Sequence, residues 1–113
     1  MNNSEQLEQV EISIEQAKAA VAFKEVLTRL TDNKDFKEII IEGYFKEEAS
    51  RLVLLKADPA MQGESEANQI SKSIDAIGYL RLYLHTIMQR GIAMENSLKA
   101  DENTREELLA EAL

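Results

Sequence analysis

The sequence predicts an all-α protein: an antiparallel helical hairpin or three-helix bundle with a long central helix, assembling into oligomers. Three observations carry this expectation. One proline, four glycines and an abundance of Glu, Ala, Leu, Lys and Gln make a helix-favouring composition. No window alternates apolar and polar residues over a useful strand length, and the one β-branched run, Ile39-Ile40-Ile41, lies inside a helical pattern. The third observation is a seven-residue repeat. Ile70, Ile77, Leu84, Gly91 and Leu98 share one position of it, and Ser73, Leu80, Ile87 and Met94 share the position three residues on. That is the seam of a helix packed against other helices. Tyr79, Leu82 and Tyr83 fall off the seam, so the apolar surface is wider than a two-stranded coiled coil needs.

In chain order, a first helix is expected after Ser4, whose hydroxyl can satisfy free N–H groups, with Glu5 and Glu8 favourable at the positive end of the helix dipole. Its apolar positions are Leu7, Val10, Ile14, Ala17 and Val21; the stripe then rotates onto Phe23, Val26, Leu27 and Leu30, as in a helix that changes partner. Thr31 to Asp35 is a break, with Asp32 or Asn33 as the next cap. A second helix over 34–56 places Phe36, Ile39, Ile40, Tyr44, Ala49, Leu52, Val53 and Leu55 on a broad apolar face. Gly43 within it is read as a close approach of another helix. Ala57 to Met61 is a second break: Asp58 can cap a helix with Pro59 in its first position, or a loop can run through 57–65. The long helix then continues to about Lys99, and Asp101 or Asn103 caps a short acidic helix. Gly91 admits a neighbouring backbone at the seam or, alternatively, ends the packed part. The expected organisation is an N-terminal helix or arm at 1–31, a helical hairpin core at 32–100 and an acidic C-terminal tail helix at 101–113.

Thirteen Lys and Arg against twenty-one Asp and Glu give a net charge of −8. The acid lies at the ends: Glu5, Glu8, Glu11 and Glu15 oppose Lys18, and Asp101, Glu102, Glu106, Glu107 and Glu111 oppose Arg105. Residues 68–91 are mildly basic, with Lys72, Arg81 and Arg90 against Asp75. A single chain of this balance is poorly suited to nucleic acid, although symmetry can gather those three cations into a patch. No run approaches the roughly 20 apolar residues of a membrane span, so no membrane is expected. The opening MNNSEQLEQVEISIEQ is polar and acidic, unlike a secretory signal.

Catalysis finds little support. There is no cysteine, which removes disulfides, thiolate zinc sites and a cysteine nucleophile together. His85 is the one histidine; Arg81, Leu82, Met88 and Gln89 surround it at helical spacing, with no carboxylate. Glu-x-x-His and His-Glu-x-x-His metal patterns are absent, as is a Gly-rich phosphate loop. Adjacent Glu47 and Glu48 point apart on a helix, and Glu38 with Glu42 sits among Lys34, Lys37 and Lys46. The expectation is a non-enzyme without cofactor or metal. Tyr79, Arg81, Leu82, Tyr83, His85 and Arg90 are the candidate partner-binding residues, because tyrosine and arginine are enriched at protein interfaces.

EGYFKEEASRLV and AIGYLRLYL, with DNKDFKEIII before them and DENTREELLAE after, resemble small helical proteins encoded by tailed bacteriophages near their head and packaging genes. The resemblance covers most of the chain after residue 32. It implies a virion component, assembly factor or packaging accessory, located in the host cytoplasm or the virion. The leading expectation is a non-enzymatic phage protein acting through protein–protein contacts in virion assembly, structure or DNA packaging, with itself and another phage or host protein as partners. Two alternatives stand beside it: an acidic helical inhibitor of a host protein that mimics DNA, and a small DNA-packaging subunit whose oligomer forms a basic patch from Lys72, Arg81 and Arg90.

Overall fold

The computed structural model describes residues 2–113. Every element in it is helical: α1 (Asn3–Asp32), α2 (Lys34–Phe36), a π-helix (Lys37–Glu48), α3 (Ala49–Lys56), a 3-10 turn (Pro59–Met61) and α4 (Glu64–Glu111). The fold is all-α, with one long helix, as the composition and the seven-residue repeat require. Contacts divide the chain into two units. One joins the chain up to Leu27 with Thr86–Leu113; the other is Thr28–His85.

The first unit is a pair of antiparallel helices. Asn2, not Ser4, caps α1: the Asn2 carboxamide oxygen accepts from Glu5 N–H at 2.8 Å. Ile14 and Ala17 are buried at 2% and 1% exposure, and Leu7, Val10 and Val21 are half-buried beside them. The facing side of α4 is its own repeat. Gly91 and Leu108 are buried, while Met94, Leu98, Asp101 and Arg105 are half-buried between them. Polar pairs fix the register. Asn3 Nδ2 donates to Leu108 O at 3.2 Å, and Arg105 lies 3.6 Å from Glu11. Ser13 Oγ donates to Asp101 Oδ2 at 2.6 Å, and Lys24 pairs with Glu95. Low numbers meet high ones throughout, which defines the antiparallel sense.

Two expectations are corrected here. No break separates an acidic tail helix from α4, which runs unbroken to Glu111. Thr104 donates to Ala100 O at 3.0 Å inside the helix instead of supporting a new cap. Asp101 and Arg105 continue the seven-residue spacing of α4, and α1 supplies their partners. Nor does the apolar stripe of α1 rotate as a whole: Leu27 is buried, but Phe23, Val26 and Leu30 are 50%, 45% and 42% exposed. Of the two readings of Gly91, close approach holds. A Cβ there would overlap Lys24 Cβ and stand 2.8 Å from Lys24 Cγ and Cδ. Packing continues past it to Leu108.

In Thr28–His85, Asn33 Oδ1 accepts from Phe36 N–H at 2.9 Å and starts the 34–56 segment. Phe36, Ile40, Tyr44, Glu48 and Leu52 recur every four residues, and all five are half-buried or buried. In an α-helix each such step overshoots a full turn by about 40°, so by Leu52 the stripe would have swung about 160° away. A π-helix closes i→i+5 bonds and takes about 4.4 residues per turn, so it rotates the stripe back. Underwinding over Lys37–Glu48 therefore keeps the strict four-residue pattern on one side. The β-branched Ile39-Ile40-Ile41 run crowds an α-helical turn and gains room in the wider one.

Gly43 is corrected too. The atom nearest an added Cβ is not another helix but Glu38 O of the same π-helix, at 3.1 Å. Ile39 and Val53, assigned to the apolar face, are 67% and 59% exposed; Leu52 is buried. The segment ends where Gln62 Nε2 donates to Lys56 O at 3.0 Å and Asp58 O at 2.7 Å, closing free carbonyls. Asp58 Oδ1 accepts from Ala60 N–H at 2.9 Å with Pro59 in first position, as expected, but this starts a single 3-10 turn. The long helix begins at Glu64. Ile70 and Ile77, the first repeat positions, are buried with Leu52.

Candidate functional site

The repeat that turns Ile70 and Ile77 inward turns the opposite side of α4 to solvent. Tyr79, Leu82 and Tyr83 stand at i, i+3 and i+4, one helical face, and are 69%, 57% and 56% exposed. Three large side chains in one turn with more than half their surface in water form an apolar patch of the Thr28–His85 unit. Arg81 and His85 sit one turn apart on the adjoining face, both exposed. With Gly78 and Leu82 they line a recess of about 440 Å³. Gly78 has nothing within 4 Å of where a Cβ would stand, so the recess has an open floor. Leu82 belongs to both groups and joins the aromatic patch to the cationic recess.

Five of the six candidate residues thus lie on two adjoining faces of one helix. Arg90 is exposed and falls in the share of α4 that belongs to the first unit. The arrangement presents flat aromatic and aliphatic surface flanked by a guanidinium and an imidazole. Such a surface suits an apolar partner face with a carboxylate at its edge.

A second concavity of about 500 Å³ lies between the π-helix and α4, with Ile40, Gly43, Tyr44, Leu52, Ser73 and Ala76 among its lining residues. Glu48 stands at it, hydrogen-bonded to Arg51, whose Nε lies 3.1 Å from both carboxylate oxygens. That hydrogen bond holds the Glu48 carboxyl below the usual carboxylate range and raises Arg51 in return. The walls are mostly apolar, and the Glu48 carboxylate at them is paired with the Arg51 guanidinium.

Sequence reasoning missed the outer side of α1. Ile12, Phe23 and Val26 are 50%, 50% and 45% exposed, on the side away from Ile14 and Ala17. The signal was available: Ile12, Gln16, Ala19, Phe23 and Val26 follow one another at spacings of four, three, four and three. That is a second seven-residue repeat laid over the first. Leu54, 75% exposed on α3, was also not singled out. Among the described residues, no group of three or more His, Cys, Asp and Glu side chains is placed to hold a metal ion. No helix of the described residues is long and apolar enough to cross a membrane. Compared with known proteins, the chain matches no family model, no curated protein and no solved structure.

Proposed function

We propose that this chain is a non-enzymatic phage protein that works through protein–protein contacts in virion assembly, structure or DNA packaging. The observation that carries the contact-making role is the quantity of apolar surface left in water. Ile12, Phe23, Ile39, Leu54, Tyr79, Leu82 and Tyr83 are each at least half exposed. Such side chains lie on α1, the π-helix, α3 and α4. Contiguous apolar patches on a protein surface commonly mark sites that partners cover. The phage setting rests on the resemblance of EGYFKEEASRLV, AIGYLRLYL and their flanks.

In this reading the Tyr79, Leu82 and Tyr83 face of α4 is a contact surface, Arg81 and Arg90 add charge, and His85 adds a hydrogen-bonding imidazole. Copies of the chain and another phage or host protein are the partners. The test is to replace Tyr83 and Arg90 with alanine and follow average mass by light scattering beside circular dichroism. The reading expects a lower average mass at unchanged helicity. An unchanged mass contradicts the assignment of this face.

A further inference from the structure

The outer side of α1 carries a repeat that its own fold does not use. The inner repeat, Leu7, Val10, Ile14, Ala17 and Val21, is spent on α4. The outer one, Ile12, Gln16, Ala19, Phe23 and Val26, has the same alternating spacing and lies on the opposite side of the helix. All five of its members are exposed. A helix with two seams needs two helical neighbours, and within the unit it has one. We propose that the second neighbour is the α1 helix of another copy of this chain, packed antiparallel about a two-fold axis.

Two observations select that occupant and that direction. Side-chain size is the first. Antiparallel pairing centred on residue 21 sets Phe23 of each copy over Ala19 of the other, large on small, and Val26 over Gln16. Parallel pairing stacks Phe23 on Phe23 and leaves a void between the two Ala19 side chains. Charge is the second. Lys18 and Glu25 are exposed, and each immediately precedes a position of the outer repeat, so both lie on one flank. Antiparallel pairing brings Lys18 of one copy within a residue of Glu25 of the other, twice by symmetry, and places the acidic residues 5–15 beyond the centre. Parallel pairing sets Lys18 beside Lys18 and Glu15 beside Glu15.

This inference rests on the reading of the chain as a contact-making protein but uses a different surface, so the two can fail separately. Sedimentation equilibrium of the full chain carrying Tyr83→Ala with Arg90→Ala, which takes away the α4 contact, is expected to give a dimer. Phe23→Asp with Val26→Asp should return it to a monomer at unchanged helicity, because both side chains are already half in water. Tyr83→Ala with Arg90→Ala should leave the dimer in place. Lys18→Glu alone should weaken the dimer at least tenfold, and Lys18→Glu with Glu25→Lys should restore it. The native chain has no cysteine, which permits a directional test. Under oxidation, Gln16→Cys mixed with Val26→Cys should form a cross-linked pair, and Val26→Cys alone should not. Self-linking of Val26→Cys would overturn the antiparallel arrangement. A dimer that survives Phe23→Asp with Val26→Asp would overturn the surface itself, and a wild-type monomer would overturn both.

Discussion

The pair formed by the start of α1 and the end of α4 and the hairpin formed by 34–56 and the start of α4 each bury an apolar stripe, yet they wind their helices differently. In the first, apolar positions alternate by three and four: Leu7, Val10, Ile14, Ala17 and Val21. That mean of 3.5 is close enough to the α-helical 3.6 that an ordinary α-helix keeps the stripe facing its partner. In the second, Phe36, Ile40, Tyr44, Glu48 and Leu52 hold a spacing of four, and the backbone underwinds into a π-helix to follow it. The lesson is that the period of burial sets the winding of the helix, and not the reverse.

Substitutions can break this comparison, and the largest effects are expected in the buried stripes. Ile14→Ala and Leu52→Ala should each cost about 2–5 kcal/mol in urea unfolding, since each removes a nearly inaccessible side chain from a thin core. Hydrogen exchange should place the loss in different segments. Ile14→Ala should deprotect 3–27 and 86–111, and Leu52→Ala should deprotect 34–56. Uniform deprotection in both variants would dissolve the distinction between the regions.

The glycines sharpen it at a smaller scale. Gly91→Ala should destabilise by about 1–3 kcal/mol, because the new Cβ runs into the root of the Lys24 side chain and the helices must part. Gly78→Ala, in the same helix but facing open space, should stabilise by about 1 kcal/mol. Gly43→Ala should gain less than Gly78→Ala, because its Cβ lies 3.1 Å from Glu38 O in the π-helix. An equal gain at 43 and 78 would indicate ordinary α-helical winding at Gly43.

The smallest effect concerns pH. Glu48, where the π-helix ends, is held below the ordinary carboxylate range by its hydrogen bond to Arg51. A depressed carboxyl contributes stability above its unfolded value and loses it as pH falls through the folded one. The 34–56 segment should therefore loosen slightly on acidification below the ordinary carboxylate range. Arg51→Gln should move the Glu48 titration, followed by NMR, back up toward that range. A titration that does not move would remove the pair from the account.

Much of this architecture was legible because apolar spacing and capping chemistry are local. Ile70 and Ile77 are buried as the repeat requires, Asn33 and Asp58 cap as their side chains allow, and Gly91 sits where a neighbour comes close. The illegible parts depend on partners remote in the chain. Asp101 read as a helix cap because its partner Ser13, like the Glu11 that pairs with Arg105, lies some 90 residues away. The π-helix was hidden because a four-residue spacing passes for a loose α-helical stripe until its drift is summed over sixteen residues. On α4 the spacing of Tyr79, Leu82 and Tyr83 already placed them on one face. On α1 the outer repeat was overlooked because Phe23 and Val26 were grouped with Leu27, which is buried, as the continuation of a single rotating stripe.

Light scattering on the wild-type chain across a wide concentration range tests the central claim most directly, namely that the exposed apolar faces exist to be covered by partners. The account predicts a mass that rises above 12.8 kDa within that range. A well-folded chain that holds 12.8 kDa at every concentration would contradict it.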